Sequence, residues 1–163
     1  MKLSVFNALP AAQAQAALAH CVAITRWQQA LVAARPYATP AALYQQAHRL
    51  AQQWDRQDFL QALAGHPRIG ERADGTGKEA ALSRQEQAAV GDDATLQQAL
   101  RRGNQHYEQR FGHLFLIRAK GRSGQEMLRE LQRRLANTPA QEAEEALAQL
   151  REITLLRLEE SIA

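Results

Sequence analysis

Thr39-Pro40-Ala41-Ala42-Leu43-Tyr44-Gln45-Gln46-Ala47-His48-Arg49-Leu50-Ala51-Gln52-Gln53-Trp54 reads as one amphipathic helix. Thr39 offers a hydroxyl N-cap, and Pro40 takes the first helical position, where its missing N–H has no intrahelical partner to lose. Leu43, Ala47, Leu50 and Trp54 recur at the i, i+4, i+7, i+11 spacing of one buried face. The same period extends outward on both sides. Residues 10–34 are rich in Ala, Gln and Leu and close before Pro36, either as one long helix or as two split near His20-Cys21. Asp55 caps a following helix that carries Phe59, Leu60 and Leu63. Ser83-x-x-Glu86 opens a short helix to about Val90, which Gly91 ends, and Asp92-Asp93 cap a longer one to about Arg110, stopped by Gly112. Ser123-x-x-Glu126 opens a helix through Met127, Leu128, Leu131 and Leu135, and Thr138-Pro139-x-Gln141 opens the last, to about Glu160. Between them Leu114 to Ala119 is a short apolar run with no second strand to pair with. The expected fold is all-α: a single-domain bundle of about six to eight helices with one short extended segment near 114–119.

Bulk composition bounds the function. With 163 residues the chain can bury a proper core, and 45% hydrophobic with 23% charged residues is ordinary for a globular protein. Cys21 is the lone cysteine, which excludes an intramolecular disulfide and a cysteine-based zinc site within the chain. No apolar run approaches the roughly 18 residues of a membrane span. The N-terminal stretch lacks the apolar core of a signal peptide, and the last residues carry no peroxisomal address, so no membrane is expected and a cytoplasmic location is. Net charge is +3 and the pI 9.4, with arginine the dominant cation. Arg-rich surfaces suit carboxylate or phosphate, but these arginines are spread over several helices without the dense stripe of a nucleic-acid binder.

Four groups of residues invite a chemical reading. His66 stands in Gly65-His66-Pro67-Arg68-Ile69-Gly70, where a patterned helix stops and the residue before Pro is pushed out of the α region. A restricted loop position with an imidazole suits acid–base work near neutral pH. Ser83 and Glu86 are a capping box by pattern; they are also a helix N-terminus, where free amides attract an anion. Both readings stay open. On a wheel of about 100° per residue, Arg157 lies within about 60° of Ala143, Ala146, Leu150, Ile153 and Thr154, in the middle of an apolar stripe. A buried guanidinium is costly without an anion, so Arg157 is an internal salt-bridge partner, a cation near the helix end complementing the dipole, or an anion-binding group. Asn104, Tyr107 and Phe111 share a face and read as core with one buried amide, while the run to Ile117 could offer backbone N–H and C=O groups to a planar polar ligand. The other histidines, His20, His48, His106 and His113, read as structural or surface groups. No metal site is expected: there is no His-Glu-x-x-His, and no two histidines have close ligand spacing with a carboxylate. Phosphate-loop, Rossmann and Gly-x-Ser-x-Gly patterns are also missing.

Taken in order, Phe6-Asn7, Cys21…Trp27, Arg35-Pro36-Tyr37, His66-Pro67-x-Ile69-Gly70, Ser83-x-x-Glu86-Gln87, Asn104-x-x-Tyr107-x-x-x-Phe111-Gly112, Arg134-Leu135-x-Asn137 and Ile153-x-x-x-Arg157-Leu158 make a specific set. The chain resembles the 2-oxo-4-hydroxy-4-carboxy-5-ureidoimidazoline (OHCU) decarboxylases of purine catabolism over nearly its whole length. Ile69 stands where the family often has Leu, and Arg26 precedes Trp27 where Pro is common. The resemblance implies an all-α fold, no cofactor, a small-molecule substrate, and loss of CO2 followed by stereospecific protonation to (S)-allantoin. It implies catalytic roles for His66 and Glu86. It also implies substrate contacts from Pro67, Ser83, Gln87, Arg157 and the backbone around Phe115, Ile117 and Ala119. A homodimer is compatible with it. The rival from another class is a small helical Arg-rich module that binds nucleic acid or a protein without catalysis.

Overall fold

The computed structural model describes residues 1–64, 66, 68, 69 and 93–163. The readings at Pro67, Ser83, Glu86 and Gln87, the loop glycines Gly70, Gly75 and Gly77, and the short helix to Val90 lie outside the described residues. Among those described there are eight helices and no strand, an all-α architecture. They are α1 (Leu3–Ala8), α2 (Ala11–Leu18), α3 (Thr25–Ala33), α4 (Pro40–Ala51), α5 (Arg56–Leu63), α6 (Ala94–Phe111), α7 (Gly124–Arg134) and α8 (Pro139–Ser161). Contacts divide the chain into two compact units, residues 1–62 with 151–163, and residues 63–150.

In the first unit α2 packs on α3 and α3 on α4. Phe6, Leu18, Ile24, Leu31 and Leu43 are fully buried, each contributing roughly 1.5–3 kcal/mol of hydrophobic stabilisation. The region 10–34 is two helices, broken at 19–24 around His20 and Cys21. Thr39 caps α4 as expected, its hydroxyl accepting from the Ala42 N–H at 3.1 Å. The helix nevertheless ends at Ala51, short of Trp54. The N–H groups of Gln53 and Trp54 bond three residues back, to Leu50 and Ala51, so the chain tightens. That turn carries Trp54 into the core edge-on to Trp27, with ring centroids 6.1 Å apart. Buried Ala51 takes the place expected of Leu50, which is half-buried. Asp55 and Asp58 exchange side-chain-to-backbone bonds at 3.0 Å across the start of α5. On α5 Phe59 and Leu63 are buried, whereas Leu60 is 42% exposed and Ala62 fills the core instead.

Several residues of the ordered sequence set are staples of this unit. Asn7 and Tyr37 exchange backbone and amide bonds at 2.9 Å in both directions. Arg35 Nη1 donates to the carbonyls of Phe6 and Leu9, both at 2.7 Å. Trp27 Nε1 donates to the Ala47 carbonyl at 3.1 Å, joining α3 to α4.

In the second unit α6 packs on α7. Asp93 caps α6 by accepting from Thr95 and Leu96 N–H, and Gly112 ends it in the left-handed region at φ 76°, a conformation that costs glycine nothing. Ser123 caps α7. At α8 the Thr138–Gln141 box is reciprocal, each side chain bonding the other's backbone, at 3.0 and 3.2 Å. Residues 114–119 are neither helix nor strand. Their Phe115, Ile117 and Ala119 side chains join Ile69, Leu100, Tyr107, Met127 and Leu131 in one core. Among the described residues no helix is long and apolar enough to cross a membrane.

Candidate active site

α5 delivers the chain to His66. The carbonyl of Leu63 accepts the His66 N–H at 3.0 Å, and His66 is half-buried. Arg68 Nε donates to both Glu108 carboxylate oxygens, at 2.9 and 3.1 Å. Ile69 turns its side chain into the core and its carbonyl accepts from Asn104 Nδ2 at 2.9 Å. The chain at the imidazole is therefore held through backbone atoms at 66 and 69 and through the Arg68 side chain, the last two ties reaching α6. A group that must hold one position relative to a reacting bond gains from such anchoring. Asn104 is the buried amide expected in the core, and its function is to fix this loop.

The 114–119 run is held from the opposite direction in sequence. Arg134 Nη1 donates to the Leu116 carbonyl at 2.8 Å, and Gln149 Oε1 accepts the Arg118 N–H at 2.8 Å. The Arg134 guanidinium lies over the Phe115 ring, 4.5 Å from its centroid, a favourable cation–π placement. Its Nε bonds Glu142 at 2.5 and 3.2 Å to the two carboxylate oxygens. Both partners are buried, Arg134 at 2% and Glu142 at 0% exposure. Tyr107 sits beside them. Burial, and then the Glu142 charge, push its hydroxyl far above the ordinary phenol range, with Arg134 opposing, so the group stays neutral.

Sequence reasoning singled out neither Arg134 nor Glu142 as site residues. The signal was available: Arg134 falls at i+7 from Met127 and i+3 from Leu131, and Glu142 at i−4 from Ala146, all of them buried. The wheel argument applied to Arg157 would have flagged both.

Arg157 is buried in the other unit, at 3% exposure, and its Nη1 donates to the His20 carbonyl at 3.3 Å. His20 Nε2 meets Ser161 Oγ at 2.5 Å. Ser161 donates to the Arg157 carbonyl at 2.6 Å, so its oxygen accepts from His20 and the ring carries its proton on Nε2. His20 is thus structural, as read. His48 and His106 are exposed on helices, and His113 packs edge-on against Tyr107 at 5.5 Å. Of the expected site residues, His66, Phe115, Ile117 and Ala119 belong to the 63–150 unit, the last three sharing its core, and Arg157 belongs to the other unit. Pro67, Ser83, Glu86 and Gln87 are outside the described residues. No cluster of three or more His, Cys, Asp or Glu suited to a metal ion occurs among the described residues.

A family model for OHCU decarboxylase matches residues 7–159. The chain is 37% identical to the 2-oxo-4-hydroxy-4-carboxy-5-ureidoimidazoline decarboxylase of Amia calva over 60% of its own length and 57% of that protein. It is 29% identical to the uric acid degradation bifunctional protein TTL of Arabidopsis thaliana, over 85% of this chain and 44% of that protein. It thus spans about half the length of these relatives. A crystal structure of an OHCU decarboxylase in the presence of (S)-allantoin superposes with a TM-score of 0.73 at 27% identity, covering 87% of this chain and 94% of that one.

Proposed function

Because the chain belongs to the OHCU decarboxylase family, we propose that it converts 2-oxo-4-hydroxy-4-carboxy-5-ureidoimidazoline to (S)-allantoin and CO2. The observation that carries this reading is the family match across residues 7–159. The anchored imidazole of His66 adds to it.

The substrate supplies its own electron sink. When the bond to the carboxylate breaks, its electron pair passes into the adjacent ring C=N and CO2 departs. The ring nitrogen that receives the pair takes up a proton, and the hydroxyl on the decarboxylated carbon releases its own as that carbon becomes a carbonyl. One proton added to a single face of the ureido-bearing carbon sets the hand of the product. His66 is proposed to engage the hydroxyl and carboxylate of the substrate, as an imidazole poised near neutral pH can, and Glu86 to hold its N–H groups. The backbone around Ile117 is proposed to bind the ureide, and no cofactor is needed for the electron flow. Roles for Pro67, Ser83, Gln87 and Arg157 are proposed from the resemblance alone.

The Arg-rich binding-module reading is less well supported. Arg26 pairs with Asp58, Arg68 with Glu108, Arg133 with Glu130 and Glu145, and Arg134 with Glu142, so these four arginines are matched by carboxylates of the fold rather than left for phosphates.

The test generates the substrate in the cuvette from urate with urate oxidase and hydroxyisourate hydrolase, and follows circular dichroism. Rapid formation of single-handed (S)-allantoin is expected, with a loss on the order of 100-fold or more for His66→Ala. No acceleration over the spontaneous racemic decay sinks the proposal. Near-wild-type turnover by His66→Ala removes His66 from its role.

A further inference from the structure

The peptide bonds on either side of Ile117 are trans and therefore planar. In a trans unit the C=O and N–H point in opposite directions. Leu116 C=O is directed at Arg134 and Arg118 N–H at Gln149. It follows that the Ile117 N–H, in the same plane as Leu116 C=O, points away from Arg134. The Ile117 C=O, in the same plane as Arg118 N–H, points away from Gln149. Neither backbone group of Ile117 has a hydrogen-bonding partner among the described residues, although the residue is 5% exposed. A buried donor and acceptor left open on one residue are costly unless a ligand meets them.

We propose that Arg134, fixed by Glu142, and Gln149 are positioning residues that set the two peptide planes flanking Ile117, so that its N–H and C=O face a ureide-type ligand as a paired donor and acceptor. This rests on the reading of the chain as an OHCU decarboxylase. The two side chains work differently. Arg134 is locked by a buried ion pair and by its stack on Phe115, so the Leu116 plane cannot rotate without breaking a charged contact. Gln149 projects from half-buried helix surface and uses only its side-chain carbonyl. A rotation of either plane swings an Ile117 group off its target while leaving the hydrophobic core intact.

Gln149 gives the cleanest test because its removal leaves no buried charge. Gln149→Leu deletes the acceptor and Gln149→Glu retains one. Gln149→Leu is expected to lose about tenfold or more in kcat/KM, with a melting temperature within about 3 °C of wild type. Its Arg118 amide should exchange its hydrogen faster than in wild type. Gln149→Glu should recover both activity and amide protection. A paired replacement, Arg134→Met with Glu142→Leu, should likewise fold and lose kcat/KM; if it does not fold, the Gln149 variants decide. Wild-type turnover is measured alongside. An inactive wild type overturns the decarboxylase reading and this inference with it. An active wild type matched by an equally active Gln149→Leu overturns the inference alone. So does a loss that Gln149→Glu fails to rescue, since that marks a merely structural role.

Discussion

The Tyr37 hydroxyl donates to the Leu31 carbonyl at 2.5 Å from a site 7% exposed. Burial pushes its pKa from 10.0 up to about 12, with the Arg35 cation opposing. Below pH 10 the phenol is protonated whether the chain is folded or not, so its contribution is complete there. Between pH 10 and 12 the unfolded chain loses the proton while the folded one keeps it, and stability falls. Tyr37→Phe is expected to flatten that decline in denaturant titrations run across the same pH range. It should also cost about 1 kcal/mol at neutral pH for the missing hydrogen bond. At this scale the sequence was legible where a polar residue interrupted a long apolar stripe: Arg157 stood out, and it is buried. Arg134 followed the same rule unnoticed, because α7 is short and its cation falls in the last turn, where a basic residue is expected for the helix dipole alone. Glu142 escaped for the mirror reason, as an acid in the first turn of α8.

Helix packing in the 63–150 unit turns on Gly103 of α6. A methyl group built there would lie 2.4 Å from Leu131 Cδ2 and 3.1 Å from its Cγ, and Leu131 is fully buried, so it must shift within the packed core. Gly103→Ala gains about 1 kcal/mol of helix propensity and loses more to overpacking, typically about 1–3 kcal/mol. A net destabilisation of about 1 kcal/mol is expected, read as a lower urea midpoint with an unchanged slope. Helix starts that carry a side-chain cap were easy to read because caps are local chemistry: Thr39, Asp55, Asp93, Ser123 and Thr138 each begin a helix as their side chains suggest, whereas α1, with no such cap, was not read from the sequence. Helix ends were harder. The apolar spacing of α4 runs on to Trp54, but the backbone abandons helical bonding at Ala51 and reaches Trp54 by a turn. Periodicity cannot tell a helical residue from one brought to the same face by tertiary packing. The non-helical run at 114–119 was legible as a short apolar stretch after the helix stop at Gly112, and its lack of a partner strand argued against a sheet. The side chains that seize its peptides were not, since Arg134 and Gln149 are distant in sequence.

Across the molecule, ion pairs outside the core act mainly through pH. Arg133 bridges Glu130 at 2.7 Å and Glu145 at 2.6 Å, and its hydrogen bonds hold both carboxyls below their ordinary range. Groups depressed in this way stabilise the fold above the unfolded carboxyl pKa and lose that contribution as pH falls through their folded values. Arg133→Ala should therefore be less stable at neutral pH, by no more than about 1 kcal/mol because the pairs are solvent-screened. Its stability curve should merge with that of wild type below about pH 4. The all-α class was readable across the chain because nearly every segment carried the same period. The candidate site was readable in its loop histidine, whereas the ties that steady that loop come from α6, some forty residues further on. The buried Arg134–Glu142 pair also constrains how this sequence can drift. Replacing either partner alone strands a charge in a dry interior at about 3–5 kcal/mol, a large share of the roughly 5–15 kcal/mol that keeps a domain folded. Replacing both at once need cost little. A substitution at 134 is therefore expected to be tolerated best with a compensating one at 142, so that the two positions act as a single unit of change.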